Sequence, residues 1–89
     1  MTNISPSGTS QTIAISSTSA QSTPIHAVLV HITPTVDCYM RQGSNPVAIA
    51  NIDHFLLGNA TQSFRIIRDN ILAFITAAGS GFVHIVPVD

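Results

Sequence analysis

Residues 36–41 read Val-Asp-Cys-Tyr-Met-Arg, with apolar and polar side chains in alternation. A repeat of two residues is typical of a β-strand that has one face against a core and the other in water. We therefore predict a strand over residues 35–42. The alternation places Val36, Cys38 and Met40 in the core, and Asp37, Tyr39 and Arg41 outside it.

Similar short segments, rich in β-branched and aromatic residues, lie on both sides of this strand. They predict about seven short strands: 10–17, 25–33, 35–42, 47–52 (a strand or an extended crossing), 63–67, 71–76 and 82–88. Pro, Gly and Asn clusters such as 43–46 and 58–59 separate them, as expected of turns. The fold class predicted is all-β, a small antiparallel β-sandwich of jelly-roll type.

Residues 61–78 fit two templates. Phe64, Ile67, Ile71 and Ile75 have the spacing of one helical face, whereas two strands joined by a hairpin turn at 68–70 fit equally well. Ile66, Leu72 and Phe74 fall outside the helical face, and β-branched and aromatic residues are frequent, so the strands are favoured.

The first nine residues differ from the rest of the chain. They are rich in Ser and Thr, and Pro6 and Gly8 disfavour a regular element. We predict an extended N-terminal arm over 1–9 and a single sandwich domain over 10–89. The arm is either a loose terminus or a segment that becomes ordered on a neighbouring subunit, with Ile4 as its apolar anchor.

Charge is unusually scarce. Only 8% of residues are charged and 45% are hydrophobic, whereas about 25% charged residues is typical. Three scattered arginines do not provide the basic cluster that phosphate binding requires, so nucleic acid is not an expected partner. A surface with so few charges is expected to face other proteins, and a small domain with a single cysteine, Cys38, cannot be stabilised by an internal disulfide. Both points favour a homo-oligomer.

No segment resembles a targeting or membrane element. The N-terminus lacks the basic residues of a secretory signal, and no apolar run approaches the roughly 20 residues that cross a bilayer. The expectation is a protein without a membrane partner.

The order of these segments resembles that of small β-sandwich virion proteins of tailed bacteriophages, of the capsid decoration, cement or head-completion type. The resemblance covers about residues 25–88. It is carried by V-D-C-Y-M-R-Q-G at 36–43, N-P-V-A at 45–48, F-L-L at 55–57, F-R-I at 64–66, L-A-F-I at 72–75 and G-F-V-H-I at 81–85.

The resemblance implies a non-enzymatic structural protein that binds and stabilises the capsid shell. Its partners would be the major capsid protein or other virion proteins, and its location would be the capsid surface after assembly in the host cytoplasm. A neck or tail adaptor, or a fibre-attachment protein, is the alternative within the same class. A carbohydrate-binding module is a weaker alternative, because Tyr39 is the one tyrosine and there is no tryptophan.

The remaining polar residues give candidate contacts rather than chemistry. Arg41 and Arg65 lie on predicted strands, where each either pairs with a carboxylate of this chain or binds one on a partner. With Ile4 and Tyr39 they are the candidate partner-binding residues. The four histidines, His26, His31, His54 and His84, lack metal-ligand spacing, and no catalytic motif is present, so we predict no cofactor, metal or catalytic residue.

Overall fold

A computed structural model describes residues 10–88, and every regular element in this range is a strand. The eight strands are β1 (Gln11–Ile15), β2 (Ala20–Gln21), β3 (Leu29–Pro34), β4 (Cys38–Gly43), β5 (His54–Leu56), β6 (Gln62–Arg65), β7 (Ile71–Thr76) and β8 (Gly81–Pro87). The predicted all-β class is confirmed. The predicted arm at 1–9, with Ile4, lies outside the described residues.

The strands pair as if the chain were one long hairpin that has been rolled up. β1 pairs with β8, β2 with β7, β3 with β6 and β4 with β5, all antiparallel. Two further pairings, β3 with β8 and β4 with β7, close the roll. The result is a first sheet of order β1-β8-β3-β6 and a second sheet of order β2-β7-β4-β5. This winding is that of a jelly roll.

The alternation in β4 has the predicted effect. Cys38 and Met40 are buried between the sheets, Val36 packs against the same core, and Asp37 and Arg41 are exposed. Tyr39 is half-buried on the outer face. The core to which β4 contributes is apolar, and its largest fully buried side chains are Phe74, Ile25, Ile32, Leu56, Leu72 and Ile85.

The segment 61–78 forms two strands, β6 and β7, and no helix. The predicted hairpin between them is wrong, because β6 pairs with β3 in the first sheet and β7 with β4 in the second. The turn at 68–70 carries the chain from one sheet to the other. Asp69 adopts a left-handed φ of 70° there, and its amide donates to the Ile25 carbonyl (2.8 Å), which holds the turn against the segment between β2 and β3.

The sequence predicted a strand or an extended crossing at 47–52, and the strand is wrong. This part of the chain is a loop that ends in a turn, and Asn51 has a left-handed φ of 66°, which interrupts any extended conformation. The short strand β5 follows it at His54–Leu56, and β2 is a two-residue strand that was not predicted.

The turn at 58–59, which follows β5, brings the chain very close to the start of β4. Gly58 lies against Val36, and a Cβ at this glycine would be 2.9 Å from both Cα and the carbonyl carbon of Val36. The Gly58 amide donates to Asp37 Oδ1 (2.8 Å). A glycine is therefore required here by the approach of two backbone segments.

Candidate protein-binding surface

A long loop, residues 44–53, lies over the outer face of the second sheet; we call it the covering loop. It leaves β4, is attached near the opposite edge of the sheet and returns to β5. The Gln21 side-chain amide donates to Asn45 Oδ1 (2.9 Å) and to the Pro46 carbonyl (2.7 Å), and Ser19 Oγ accepts from the Ala48 amide (2.9 Å). Beneath the loop, Ala73 of β7 is fully buried although it shares the outward register of Arg41.

A single carboxylate fixes the end of the covering loop. Asp53 Oδ1 accepts from Arg41 Nε (2.9 Å) and lies 2.8 Å from Arg41 Nη2, while Oδ2 accepts from the Ile49 amide (2.6 Å). The Asp53 side chain is only 9% exposed. A shielded carboxylate that is satisfied on both oxygens is a stable anchor, because its charge is compensated and its lone pairs are used.

An aromatic pair supports the same loop. The Tyr39 hydroxyl donates to Asn51 Oδ1 (2.8 Å), and the Tyr39 ring meets the Phe55 ring edge-on, with 5.5 Å between centroids. Tyr39 and Phe55 are direct cross-strand partners on β4 and β5. The side chains of β4 that point outward therefore hold the loop in one position against the sheet.

This scaffold presents apolar side chains to water. Of the eight large hydrophobic side chains that are exposed within residues 10–88, five lie between 47 and 57, each 42–70% exposed. We call these five the apolar patch: Val47, Ile49, Ile52, Phe55 and Leu57. Several exposed apolar side chains on one segment that is held in place are typical of a surface that binds another protein.

The structure brings together only some of the predicted site residues. Tyr39 and Arg41 lie side by side on the outer face of β4, but both make their polar contacts within the chain. Arg65 is exposed on β6, in the other sheet. Of the two possibilities for Arg41, pairing within the chain is the one observed. The apolar patch was not predicted from the sequence, because three of its residues, Val47, Ile49 and Ile52, lie in the segment 47–52 that was interpreted as a strand or extended crossing.

The histidines are dispersed. His26 pairs with Asp69 at the turn between the sheets, His84 Nδ1 lies 3.0 Å from Thr12 Oγ1, and the His54 ring packs edge-on against Phe64 (5.2 Å between centroids). His31 lies on β3, and its Nε2 is buried without a hydrogen-bond partner among the described residues. Within residues 10–88 no three His, Cys or Asp side chains are grouped as a metal site would require.

The single thiol is protected. Cys38 is fully buried, and burial, together with the nearby Asp37 carboxylate, raises the pKa of its thiol from 9.0 to about 11. Because the thiolate is the reactive form, both burial and the raised pKa oppose nucleophilic chemistry. Cys38 therefore acts as a core residue.

No protein-family model, curated protein or solved structure matches this chain. Within residues 10–88 the structure contains no helix that is long and apolar enough to cross a membrane.

Proposed function

We propose that this protein is a structural virion protein of a tailed bacteriophage, which binds the capsid shell through the apolar patch and stabilises it without catalysis. The observation that carries the proposal is the covering loop, which side chains of β4 hold against the second sheet. Its apolar side chains are exposed, yet Arg41, Asp53 and Tyr39 hold the loop in a defined shape. Such a surface is preorganised, so little conformational entropy is lost when a partner covers it.

Burial of the side chains of the apolar patch against a partner protein favours binding. Complete burial of one Ile or Phe side chain is worth about 1.5–3 kcal/mol, and the patch contains five large apolar residues that are partly exposed. The energy for one copy is moderate once the cost of association is included. If the copies also bind one another, as a homo-oligomer, the contacts to the shell add up through multivalency.

The scarcity of charge supports the same proposal. With 8% charged residues, the surface has few groups that must be desolvated when it docks on the major capsid protein or another virion protein. A jelly roll occurs in viral capsid domains but also in lectins and cupins, so the fold alone does not select this function.

A carbohydrate-binding module is the weaker alternative. Tyr39 is a poor sugar-binding platform, because it is half-buried and its hydroxyl donates to Asn51 Oδ1. The exposed aromatic side chains within residues 10–88 are Phe55, which belongs to the apolar patch, and Phe82. A neck or tail adaptor would use the same patch, and copy number separates it from a decoration protein. A copy number similar to that of the major capsid protein is expected for decoration, and far fewer copies for an adaptor.

Two matched variants test the patch. Ile52→Asp introduces a charge at a patch residue that is 70% exposed, and Ile67→Asp makes the same change at a residue outside the patch that is 66% exposed. We expect Ile52→Asp to weaken cosedimentation with shells that lack the protein by about tenfold or more, and Ile67→Asp to bind like the parent. Equal binding by the parent and both variants would overturn the proposal, once unfolding curves show that all three are folded.

A further inference from the structure

The two sheets have four edge strands, β1 and β6 in the first and β2 and β5 in the second. An edge strand has unpaired backbone N–H and C=O groups along one side, and proteins normally protect such edges from pairing with other chains. Within the described residues, β1 has a ladder with β8 alone. The four edges differ in how they are protected.

Three of the edges have identifiable protection. β2 has only two residues, and the Gln21 side chain is bound to the covering loop. β5 has three residues, directly follows Asp53, and contacts β6 through the His54 and Phe64 rings. β6 also ends at the exposed guanidinium of Arg65. Short length, charge and coverage are the usual means by which edge pairing is prevented.

Within residues 10–88, strand β1 has the least protection of the four edges. The Gln11 side chain at its start contacts the Thr23 backbone, accepting from the amide (3.0 Å) and donating to the carbonyl (3.4 Å). The strand is the longest of the four edges, with five residues, and it contains neither a charged residue nor a proline. The first charged residue of the whole chain is Asp37, so the segments that flank β1 are uncharged as well. Residues 16–18, which follow the strand, are small and exposed.

We propose that β1 pairs antiparallel with β1 of a second copy, about a two-fold axis that passes through Ile13. The pairing joins two first sheets into one continuous eight-stranded sheet. This pairing rests on the proposed function, which includes a homo-oligomer. It names the surface through which two copies meet. An isologous contact of this kind closes at two copies.

The side chains of β1 fit this register. Ile13 and Ile15 point toward the core, whereas Thr12 and Ala14 point outward and are exposed. Residues that are directly opposite in an antiparallel pair lie on the same face. With Ile13 opposite itself, each Thr12 meets Ala14 of the second copy, so inward residues meet inward residues and all five positions are paired.

Strand β1 of a second copy is a chemically suitable partner for this edge. It offers an equally uncharged backbone, and the small Thr12 and Ala14 side chains pack opposite each other without desolvating a charge. A charged strand from an unrelated protein would lack this match.

Charge pairs test both the contact and its register. Thr12→Lys with Ala14→Lys places like charges opposite each other at two positions, and we expect the dimer dissociation constant to rise about tenfold or more. Thr12→Glu with Ala14→Lys places opposite charges at the same two positions and should restore a dimer close to the parent's. Both double variants lose the Thr12–His84 hydrogen bond, so they are matched in that respect.

The measurement is sedimentation equilibrium of the free, full-length protein over a concentration series, with no shell present. A parent that stays monomeric throughout, or a Glu/Lys variant that dissociates as readily as the Lys/Lys variant, would overturn the pairing. Because shells are absent, this result is independent of whether the apolar patch binds a capsid.

A second measurement does not depend on the stability of the charged variants. One preparation carries Thr12→Cys and the other Ala14→Cys, and the two are mixed under mild oxidation. The proposed register predicts disulfide-linked heterodimers in preference to either homodimer, since position 12 lies opposite position 14 and neither lies opposite itself. The native Cys38 is fully buried and does not compete. Homodimers in equal or greater yield would reject the register.

Discussion

Arg41 and Asp53 are twelve positions apart in the chain, and one oxygen of the Asp53 carboxylate receives two nitrogens of the Arg41 guanidinium, at 2.9 and 2.8 Å. The other oxygen binds the Ile49 amide (2.6 Å). This pair connects β4 to the covering loop and gives the loop a definite shape. The charges that are so scarce in this protein are used here to organise an apolar surface.

Removing the cation from this pair should be costly. In Arg41→Gln, Asp53 stays shielded but loses its compensating charge, and we expect the free energy of unfolding to fall by about 1–2 kcal/mol. Arg65→Gln is the matched control, because Arg65 is exposed on β6, and its effect should stay within about 0.5 kcal/mol. Urea unfolding measures both. Equal effects of the two changes would mean that the ion pair contributes nothing to stability.

The inward face of β4 should not accept a charge. Met40 is buried between the sheets, so Met40→Asp places an unpaired carboxylate in the core, at a cost of several kcal/mol, roughly the stability of a small domain. We expect the variant to be unfolded by circular dichroism. Ser63→Asp, at an exposed position of β6, should remain folded. A folded Met40→Asp with the parent's midpoint would contradict the observed register of β4.

Burial of the Cys38 thiol should make stability depend on alkaline pH. The pKa is about 11 in the folded state and 9.0 without burial, so the unfolded chain loses its proton first as pH rises. The stabilisation is fully present below pH 9 and is lost between pH 9 and 11, at about 1.4 kcal/mol per pH unit.

Cys38→Ala provides the reference for this pH dependence. It lacks the thiol and retains Tyr39 and every other titrating group, so the difference in stability between the parent and Cys38→Ala isolates Cys38. We expect that difference to shift against the parent above pH 9. Parallel curves for the two proteins over this range would show that the thiol titrates equally in both states.

The close approach of Gly58 to Val36 predicts a strong preference for glycine. In Gly58→Ala the new Cβ would be 2.9 Å from backbone atoms, which cannot move as a flexible side chain can, and we expect a loss of about 2 kcal/mol or more. Gly43→Ala is the control, since its nearest contact would be an ordinary 3.6 Å to the Pro46 Cβ. Thermal unfolding should show a clearly lower midpoint for Gly58→Ala alone.

The N-terminal arm should contribute affinity rather than stability. The sequence of residues 1–9 has Ile4 as its one large branched apolar residue, too little to form part of a core. Deletion of 1–9 should leave the thermal midpoint of the free protein nearly unchanged and weaken cosedimentation with shells that lack the protein. If the truncated protein unfolds, these residues belong to the sandwich; if it binds as well as the full chain, the arm has no binding role.

Those parts of the fold that depend on local periodicity could be predicted from the sequence. The face of β4 followed from simple alternation, and β7 from a dense run of β-branched and aromatic residues. Whether β6 and β7 pair with each other could not be read in this way. Their partners, β3 and β4, lie far away in the chain, and the polar turn at 68–70 suits a hairpin and a crossing equally well.

The candidate surface could not be predicted from the periodicity of the sequence. The composition of 47–52 is that of a strand, but Asp53 binds the Ile49 amide and Asn51 takes a left-handed conformation, which together make a turn. β2 is too short for any pattern to be visible. Arg41 and Tyr39 were correctly placed outside the core, yet their partners within the chain became evident only when the covering loop was seen to fold back over them.

The rolled hairpin determines how this protein must be made. Because β1 pairs with β8, the contact between Thr12 and His84 cannot form until β8 has been synthesised. The first sheet is therefore completed only when nearly the whole domain has left the ribosome. Pairings between such distant segments form slowly, since a long loop has to close before any contact compensates for the lost entropy. We expect slow folding for so small a domain, during which the uncharged strand β1 is exposed to other nascent chains.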